Sequence, residues 1–348
     1  MTPPATLVSL ATASPPHDMD QVAVGEAARR VFADRFRDFD RLFPIFENTG
    51  IRTRQAVMPM EWYFEPKTWP DRTAAYVAGA TDLFVAAAEK ALARAGLTAA
   101  EVDTVVTVSS TGIATPSLEA RAMGRLGLRA DISRVPVFGL GCAGGVTGLS
   151  IAARLAAARP GSVVLLVCVE LCTLAARHDQ LTPANVVATA LFGDGAAACV
   201  VCAGAPGPRT VEAAAEHTWP DTLAIMGWRV DPEGFGVIFD RSIPAFATLQ
   251  LRGAMETMLA GMGIGMTEVD RFVCHPGGAK VIEALEHALD LGQGALDRER
   301  EVLADHGNMS APTVFFVLER VLADPPRPRL LMSALGPGFT ATAVSLAA

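Results

Sequence analysis

The sequence of 348 residues contains few charged and few aromatic residues. Charged residues make up 19% of the chain and aromatic residues 6%, whereas hydrophobic residues make up 51%. The 37 acidic residues outnumber the 29 basic ones, and the net charge of −8 argues against a binding surface for nucleic acid or for an anionic membrane. The composition predicts a globular protein with one large domain or two similar ones.

Signals for export or membrane insertion are also scarce. The first basic residue is Arg29, so the N-terminal segment lacks the charged region of a signal peptide. We expect that no apolar run reaches the roughly 18 residues that a membrane-spanning helix needs. We therefore expect a cytoplasmic protein without a membrane span.

Only six cysteines are present, and their spacing is not typical of a disulfide framework or a structural zinc site. Cys168 and Cys172 are not followed by a second pair of similar spacing, and Cys199 and Cys202 have apolar neighbours. Cysteines in apolar, strand-like runs indicate reduced, buried thiols. We therefore expect no metal site. Cys142 differs from these four because glycines surround it.

Short runs rich in Val, Leu and Ala alternate with longer Ala-rich segments, a pattern that predicts an α/β fold with buried strands. Gly and Pro are concentrated in CAGAPGPR, residues 202–209, where the apolar periodicity stops. We predict that the chain divides there into an N-terminal half, residues 1–204, and a C-terminal half, residues 205–348.

The two halves resemble one another at a nearly constant separation. LTAAEVDTVVTVSS aligns with GMTEVDRFVCHPGG, which pairs Asp103 with Asp270. GCAGGVTGLSIAARL aligns with GNMSAPTVFFVLERV, which pairs Cys142 with Asn308, and SVVLLVCVE aligns with PRLLMSALG. Three matches in order predict a duplicated α/β unit, with chance similarity of apolar runs as the alternative. The first copy is longer, so we expect an insertion between about residues 20 and 75.

Cys142 lies in VPVFGLGCAGG, between a strand-like run and a helix-like segment. The glycines form G-x-G-x-x-G, the fingerprint of a dinucleotide-binding loop, in which Glu170 would contact a ribose. Glu170 comes later after the last glycine than the roughly 20 residues expected, which weakens this interpretation. The alternative is a turn that presents Cys142 as a nucleophile at a helix N-terminus, where the helix dipole lowers the pKa of a thiol.

The duplication places His275 and Asn308 near Cys142 at the ends of strands, where α/β proteins usually form their sites. An imidazolium at His275 would lower the pKa of the thiol further. Both side chains can donate hydrogen bonds to a thioester carbonyl or an enolate. Each residue also has a structural interpretation: Cys142 as a core residue, His275 as the partner of a turn carbonyl, and Asn308 as a helix N-cap. Together they favour thioester chemistry without a metal.

Five segments, GCAGG, HPGGAK, HGNMSAPT, ALFGDGAAA and ALGPGFT, resemble those of the type III polyketide synthase (chalcone synthase-like) family. The resemblance covers nearly the whole chain and implies a duplicated thiolase fold, an α-β-α-β-α layered sandwich, in a homodimer. It implies catalysis by Cys142, His275 and Asn308. An acyl group from a CoA starter is loaded onto the cysteine, and malonyl-CoA is decarboxylated and condensed with it. No carrier protein or dissociable cofactor is implied.

The resemblance also assigns residues to a substrate cavity. Phe192 matches a phenylalanine between the CoA tunnel and the cavity, while Val237 and Ala175 match a second phenylalanine and a threonine of the plant enzymes. Thr115 matches the position from which a methionine of one subunit reaches the cavity of the other. Further expected lining positions are Thr111, Ala114, Cys172, Ser310, Gly336, Pro337 and Gly338.

The basic residues that would bind the CoA phosphates are only partly matched. Arg41 matches one such position of the family, whereas Pro44 and Asn48 occupy two others. Lys280, at the tunnel mouth by analogy, is the expected substitute.

The segments STGIATPSLEAR and ELCTL resemble bacterial members that take long fatty acyl starters. With small residues at Ala175 and Val237, they predict a medium- or long-chain fatty acyl-CoA starter and alkylpyrone or alkylresorcinol products. Three alternatives stay open. They are a chalcone-type synthase with an aromatic starter, a ketoacyl synthase III-like enzyme that makes a single condensation, and a catalytically inactive lipid-binding protein.

Overall fold

The computed structural model describes residues 3–348 as an alternation of strands and helices. The strands are β1 (Ala5–Ala13), β2 (His17–Asp20), β3 (Thr53–Ala56), β4 (Thr104–Val108), β5 (Ser133–Val137), β6 (Val163–Leu171), β7 (Asp194–Ala203), β8 (Arg209–Thr218), β9 (Met226–Asp231), β10 (Gly234–Phe239), β11 (Arg271–Cys274), β12 (Arg329–Gly336) and β13 (Thr340–Ala347). The helices are α1 (Gln21–Phe32), α2 (Phe39–Leu42), α3 (Ile45–Asn48), α4 (Trp69–Ala95), α5 (Leu118–Leu126), α6 (Gly144–Ala158), α7 (Pro183–Leu191), α8 (Ile243–Met262), α9 (Ala279–Ala288), α10 (Asp297–His306) and α11 (Thr313–Ala323). The α/β class predicted from the sequence is confirmed.

One large sheet runs through both halves in the order β11-β12-β13-β8-β1-β7-β6-β4-β5. In the N-terminal half β4 is parallel to β6, and β7 is antiparallel to both β6 and β1. In the C-terminal half β11, β12, β13 and β8 repeat this arrangement. The register repeats as well, because Val105 pairs with Leu165 and their counterparts Phe272 and Leu331 also pair. The predicted duplication is confirmed.

Successive residues of a strand point to opposite faces of the sheet, and three layers of helices cover those faces. Between the halves, α6 and α11 pack against strand residues such as Leu166 and Met332. On the outer side of the N-terminal half, α4 and α5 pack against Leu165 and Val167. On the outer side of the C-terminal half, α8 and α9 pack against Leu331. This layering is the expected α-β-α-β-α sandwich.

The central position of α6 explains its composition. The window Gly141–Ala158 has a mean hydropathy of 1.2 over 18 residues, so one segment of the described chain is long and apolar enough to cross a membrane. The expectation that no run reaches this length is therefore wrong. Because α6 packs between the two halves of the sheet, 67% of this window is buried inside the protein. The cytoplasmic location stays a prediction.

Residues 17–56 form an insertion that the C-terminal half lacks, and it overlaps most of the range of about residues 20 to 75 predicted from the sequence. β2 and β3 pair in antiparallel orientation, and α1, α2 and α3 connect them. Phe32, Phe39 and Phe46 of these helices form a small apolar core with Val186 and Ala190 of α7. A hairpin, β9 and β10, is added to the C-terminal half. Both additions cover the region where the two halves meet.

Candidate active site

Cys142 lies in a short 3-10 turn, Gly141–Ala143, that leads directly into α6. The hydroxyl of Ser110 accepts a hydrogen bond from the backbone amide of Gly141 at 3.3 Å, which holds the turn against the end of β4. The side chain of Cys142 is only partly accessible. The turn therefore presents the thiol at the N-terminus of α6, where the helix dipole favours a negative charge.

Asn308 lies in the equivalent turn of the C-terminal half, and its side chain is buried. Its Oδ1 accepts a hydrogen bond from the amide of Ser310 at 2.8 Å, and its Nδ2 donates to the carbonyl of Gly277 at 3.1 Å. Helix α11 begins only at Thr313, so Asn308 does not cap that helix. The structural interpretation of Asn308 as an N-cap is therefore wrong.

A glycine allows the two turns to approach each other closely. A Cβ atom at Gly145 would lie 2.2 Å from the carbonyl oxygen of Ala311, too close for any other residue. The N-terminus of α6 therefore contacts the segment that precedes α11. As a consequence, Cys142 and Asn308 both line the same two neighbouring cavities.

His275 follows β11 directly, and its backbone amide donates to the carbonyl of Ser333 on β12 at 2.8 Å. Its ring is buried, and neither ring nitrogen has a hydrogen-bond partner within residues 3–348. The interpretation of His275 as the partner of a turn carbonyl is therefore wrong. Buried polar atoms of this kind require an explanation, and a bound ligand supplies one. His275, Cys142 and Asn308 line one cavity of about 410 Å³.

Burial disfavours the charged forms of both the thiol and the imidazole. It raises the pKa of Cys142 to about 11, and this effect outweighs the hydrogen bonds from Ser310 and Asn308 that lower it. Burial also lowers the pKa of His275 to about 4. The sequence predicted an imidazolium beside the thiol. The structure instead favours two neutral groups, because an apolar pocket solvates an isolated charge poorly.

A second cavity, of about 470 Å³, also begins at Cys142 and Asn308. The predicted substrate-binding positions that line it are Thr111, Cys172, Phe192, Val237, Ser310 and Pro337. The sequence placed Ala175 on the same wall, but Ala175 lines a separate hollow of about 350 Å³ with Trp69 and Phe235. These small residues therefore do not all bound one cavity.

The other predicted positions lie around these cavities. Gly336 lies beneath the nucleophile turn, since a Cβ atom there would be 2.6 Å from Ala143. Gly338 follows it in the turn between β12 and β13. Ala114 lines a hollow beside the edge strand β5, and Thr115 is exposed in the same loop.

The expected CoA-binding residues are both at the surface. The side chain of Arg41 is 75% exposed and contacts Asp38 at 3.8 Å. Lys280 is exposed in the first turn of α9, five residues after His275. Both side chains are therefore accessible to an anionic group.

Trp228 is a cavity residue that the sequence did not reveal. Its Nε1 donates to the carbonyl of Ser110 at 2.8 Å, and its ring packs edge to face against Phe192. It lines the 470 Å³ cavity from the β9–β10 hairpin. A single tryptophan in a hairpin has no characteristic spacing, so no sequence signal identified it.

Glu170 is fully buried behind the nucleophile turn. Its carboxylate accepts hydrogen bonds from the amides of Ser110 and Thr111 at 2.9 and 3.0 Å, and from the Thr111 hydroxyl at 2.7 Å. Burial raises its pKa to about 7. Because these protein groups occupy the carboxylate, it is not free to bind a ribose. The dinucleotide-binding interpretation is therefore wrong.

A larger apolar cavity, with about 630 Å³ of empty space including its opening to solvent, lies behind Cys172 and Phe192. Its apolar lining includes Val24, Ala28, Val31, Phe32, Met60 and Ala188. Cys172 and Phe192 line both this cavity and the 470 Å³ cavity. These two side chains therefore form the boundary between the reaction cavity and the larger apolar one.

Comparison with known proteins identifies the family. Residues 2–205 match the N-terminal domain of chalcone and stilbene synthases, and residues 210–346 match the C-terminal domain. A 1,3,6,8-tetrahydroxynaphthalene synthase of Streptomyces peucetius subsp. caesius is 39% identical over 98% of this chain and 92% of that protein. The alpha-pyrone synthesis polyketide synthase-like protein Pks18 of Mycobacterium tuberculosis is 29% identical over 97% of this chain and 90% of that protein.

A solved structure shares the entire architecture. The 1,3,6,8-tetrahydroxynaphthalene synthase from Streptomyces coelicolor A3(2), a bacterial type III polyketide synthase, is similar with a TM-score of 0.92 at 28% identity. The similarity covers 98% of this chain and 99% of that one. The resemblance stated from the sequence motifs is confirmed. The chain belongs to the chalcone and stilbene synthase family of type III polyketide synthases, acyl-transferring condensing enzymes with the thiolase fold.

Proposed function

We propose that this enzyme extends a cysteine-bound acyl group with malonyl-CoA, using Cys142 as nucleophile and His275 and Asn308 as hydrogen-bonding partners. The observation that supports the proposal is the cavity lined by all three side chains, in which neither nitrogen of the His275 ring has a hydrogen-bond partner among the described residues 3–348. Membership of the family argues against a ketoacyl synthase III-like enzyme and against an inactive lipid-binding protein. The aromatic starter stays an alternative.

In the loading step, a nitrogen of His275 accepts the proton of the Cys142 thiol as the sulfur attacks the thioester carbonyl of the starter. The C–S bond to CoA breaks, CoA leaves as the thiol, and the acyl group stays on Cys142. Before the reaction Cys142 and His275 are both neutral, so the buried site holds no separated charges. Charges separate only during the proton transfer, when the N-terminus of α6 stabilises the sulfur anion.

In the extension step, Asn308 and His275 donate hydrogen bonds to the thioester carbonyl of malonyl-CoA. Loss of CO₂ leaves an enolate, whose oxygen carries the developing charge that these donors stabilise. The enolate carbon attacks the acyl group on Cys142, a C–C bond forms, and the C–S bond to Cys142 breaks. The product is a β-ketoacyl-CoA that is longer by two carbons and can be loaded again.

We propose that Lys280 and Arg41 hold the phosphates of CoA. Both side chains are exposed, and Lys280 lies in α9, the helix after the His275 turn, of which Val281 and Leu285 line the 410 Å³ cavity. In a protein with a net charge of −8, an anionic substrate needs such local positive groups.

For the starter we propose a medium- or long-chain fatty acyl-CoA, with alkylpyrones or alkylresorcinols as products. The supporting feature is the 630 Å³ pocket behind Cys172 and Phe192, whose mainly apolar lining suits an alkyl chain that begins at Cys142. Each buried methylene contributes about 0.8 kcal/mol, so such a cavity favours longer chains. One relative is named for alpha-pyrone synthesis.

A small starter without an alkyl tail is the second candidate, because the product named in a 1,3,6,8-tetrahydroxynaphthalene synthase carries no alkyl chain. It is favoured by the 39% identity to a protein of that name and by Trp228, which occupies part of the cavity beside Phe192. The test is mass spectrometry of the products formed from malonyl-CoA alone and with acyl-CoAs from acetyl to about C16 or 4-coumaroyl-CoA. Products that contain only malonyl units under every condition would contradict the fatty acyl starter. Product formation only when 4-coumaroyl-CoA is supplied would contradict both candidates.

We also propose that the enzyme is a homodimer formed through the edge strand β5. No strand of residues 3–348 pairs with the outer edge of β5, and the apolar side chains of Ile113 and Phe138 beside it are 51% and 57% exposed. An exposed apolar edge of this kind is typical of a surface that pairs with another chain. Light scattering after size-exclusion chromatography tests the proposal, and a monomer at micromolar concentration would contradict it.

A further inference from the structure

Arg54 of β3 is a fully buried cation at the C-terminal end of α7. Its guanidinium group donates hydrogen bonds to the carbonyls of Thr189, Ala190 and Phe192, each at 2.9 Å. The last carbonyls of a helix have no partner within the helix, and a positive charge there also interacts favourably with the helix dipole. Burial lowers the pKa of Arg54 to about 10, which leaves it charged at neutral pH.

The one carbonyl of this turn that Arg54 does not bind is bound by Asn308. The backbone amide of Asn308 donates to the carbonyl of Leu191 at 2.8 Å, and the amide of Gly193 donates to the carbonyl of Asn308 at 3.0 Å. The two backbones run very close together, because a Cβ atom at Gly193 would lie 2.2 Å from the carbonyl oxygen of His306. The segment that Arg54 holds on one side is therefore held by Asn308 on the other.

Gln21 of α1 fixes the orientation of the guanidinium group. Its Oε1 accepts a hydrogen bond from Arg54, and its Nε2 donates to the carbonyl of Ala190 at 3.1 Å and to that of Phe46 at 3.0 Å. Arg54 and Gln21 both belong to or flank the insertion that distinguishes the N-terminal half. A cluster of hydrogen bonds therefore connects this insertion to the backbone of Asn308.

We propose that Arg54 is a positioning residue that sets the location of Asn308, and of the Phe192 ring, relative to Cys142. The inference rests on the role proposed above for Asn308. Arg54 lines the 630 Å³ cavity but neither of the cavities that Cys142 lines, so it acts through the 189–193 segment and not by contact with the reacting atoms. A displacement of about 1 Å at a reacting group can reduce a rate by about 10²-fold.

Lysine cannot replace arginine in this role. The three carbonyls are bound by two separate nitrogens of one rigid, planar group, whereas lysine offers a single nitrogen on a flexible stem. Arg54→Lys therefore keeps the charge and loses the geometry. Arg209 is a matched control, because it is also buried and donates to backbone carbonyls, those of Arg327 and Pro328, away from the reaction cavity.

The experiment compares Arg54→Lys, Arg209→Lys and Asn308→Ala with the parent enzyme in two assays. The first measures decarboxylation of malonyl-CoA to acetyl-CoA, and the second measures alkylation of Cys142 by iodoacetamide. We expect Arg54→Lys to lose about 10²-fold in decarboxylation, like Asn308→Ala, with little change in alkylation. Arg209→Lys should match the parent in both assays.

The possible failures are distinguishable. If Asn308→Ala loses decarboxylation and Arg54→Lys keeps it, the inference about Arg54 is overturned and the role of Asn308 stands. If Asn308→Ala keeps decarboxylation, the role proposed for Asn308 is overturned first, and this inference with it. An equal loss in both assays for Arg54→Lys would indicate a general structural role and would also overturn the inference.

Should Arg54→Lys fail to fold, Gln21→Met provides the same test. It removes the hydrogen bond between Gln21 and the guanidinium group, and the one from Gln21 to the Ala190 carbonyl, while keeping a side chain of similar length. We expect a smaller loss of decarboxylation, again without a change in alkylation. Unchanged decarboxylation in a folded Gln21→Met variant would contradict the proposed positioning.

Discussion

The ring of Trp228 packs against the ring of Phe192 with centroids 6.4 Å apart at an angle of 75°. The indole is fixed by its hydrogen bond to the Ser110 carbonyl, and both rings line the cavity that begins at Cys142. Two neighbouring aromatic rings leave limited room for a planar aromatic starter. The pair therefore bears directly on which acyl group the enzyme accepts.

We predict that Trp228→Ala increases kcat/KM for 4-coumaroyl-CoA relative to hexanoyl-CoA. Removal of the indole enlarges the cavity beside Phe192, at a cost in stability of up to about 3–5 kcal/mol. Trp228→Phe is the control, because it loses the hydrogen bond but keeps an aromatic ring and so enlarges the cavity much less than alanine does. An unchanged ratio of the two kcat/KM values in Trp228→Ala would show that this ring does not limit the starter.

Cys142→Ala should abolish acyl transfer without loss of the fold, because only the nucleophile is removed. Cys168→Ala is the matched control, since Cys168 is a free thiol buried in the central core and lines none of the three cavities described around Cys172 and Cys142. The measurement is the mass of the acyl-enzyme after incubation with an acyl-CoA. An acylated Cys142→Ala protein would refute the mechanism.

His275→Gln and Asn308→Ala should affect different steps. Glutamine can donate a hydrogen bond but cannot take the thiol proton, so His275→Gln should slow loading more than decarboxylation. Asn308→Ala should reduce decarboxylation by about 10²–10³-fold, the usual effect of removing one donor to an oxyanion, and spare loading. Single-turnover assays of each step measure the two effects. Equal losses of both steps in both variants would contradict this division.

Cys172→Phe should shift the preferred starter towards shorter chains. Cys172 lies at the boundary between the reaction cavity and the 630 Å³ apolar cavity, so a phenyl group there would block the alkyl chain. Each excluded methylene should reduce kcat/KM by about fourfold, equivalent to about 0.8 kcal/mol. Ala175→Phe is the control, because Ala175 faces a different hollow. An identical chain-length profile in Cys172→Phe and the parent would rule out this path for the chain.

Glu170 should make the free energy of unfolding depend on pH. Its pKa is raised from 4.5 to about 7 in the folded protein, so the folded state binds more protons than the unfolded state in this interval. The contribution of Glu170 to the free energy of unfolding is therefore greatest at low pH. It decreases as the pH rises towards 7, by at most about 1.4 kcal/mol per pH unit. Urea unfolding at fixed protein concentration should show a weaker pH dependence for Glu170→Gln. The same slope in both proteins would contradict the prediction.

The sequence was informative where function depends on local motifs. Glycines around Cys142, the strand before His275 and the repeat that pairs Cys142 with Asn308 are all local patterns, and the structure brings these three residues to one cavity. The duplicated α/β architecture followed from the same repeat, because two copies of one unit fold in the same way.

The features that the sequence did not reveal depend on contacts between distant segments. Trp228 binds a carbonyl 118 residues away, and Arg54 binds carbonyls at least 135 residues away. No spacing rule connects such positions. The neutral state of Cys142 and His275 was missed for a related reason: it results from burial, which the surrounding tertiary structure determines.

The central layer of the sandwich has a consequence for how the chain is made. Helix α6 is completed early in synthesis, but α11, its neighbour in the central core, is encoded more than 150 residues later. Until the ribosome has released α11, the inner face of the first half exposes apolar surface of the kind that chaperones bind and that promotes aggregation. Slow translation after residue 204 would prolong this exposure, so the yield of folded enzyme in a heterologous host should depend on codon choice in the second half of the gene.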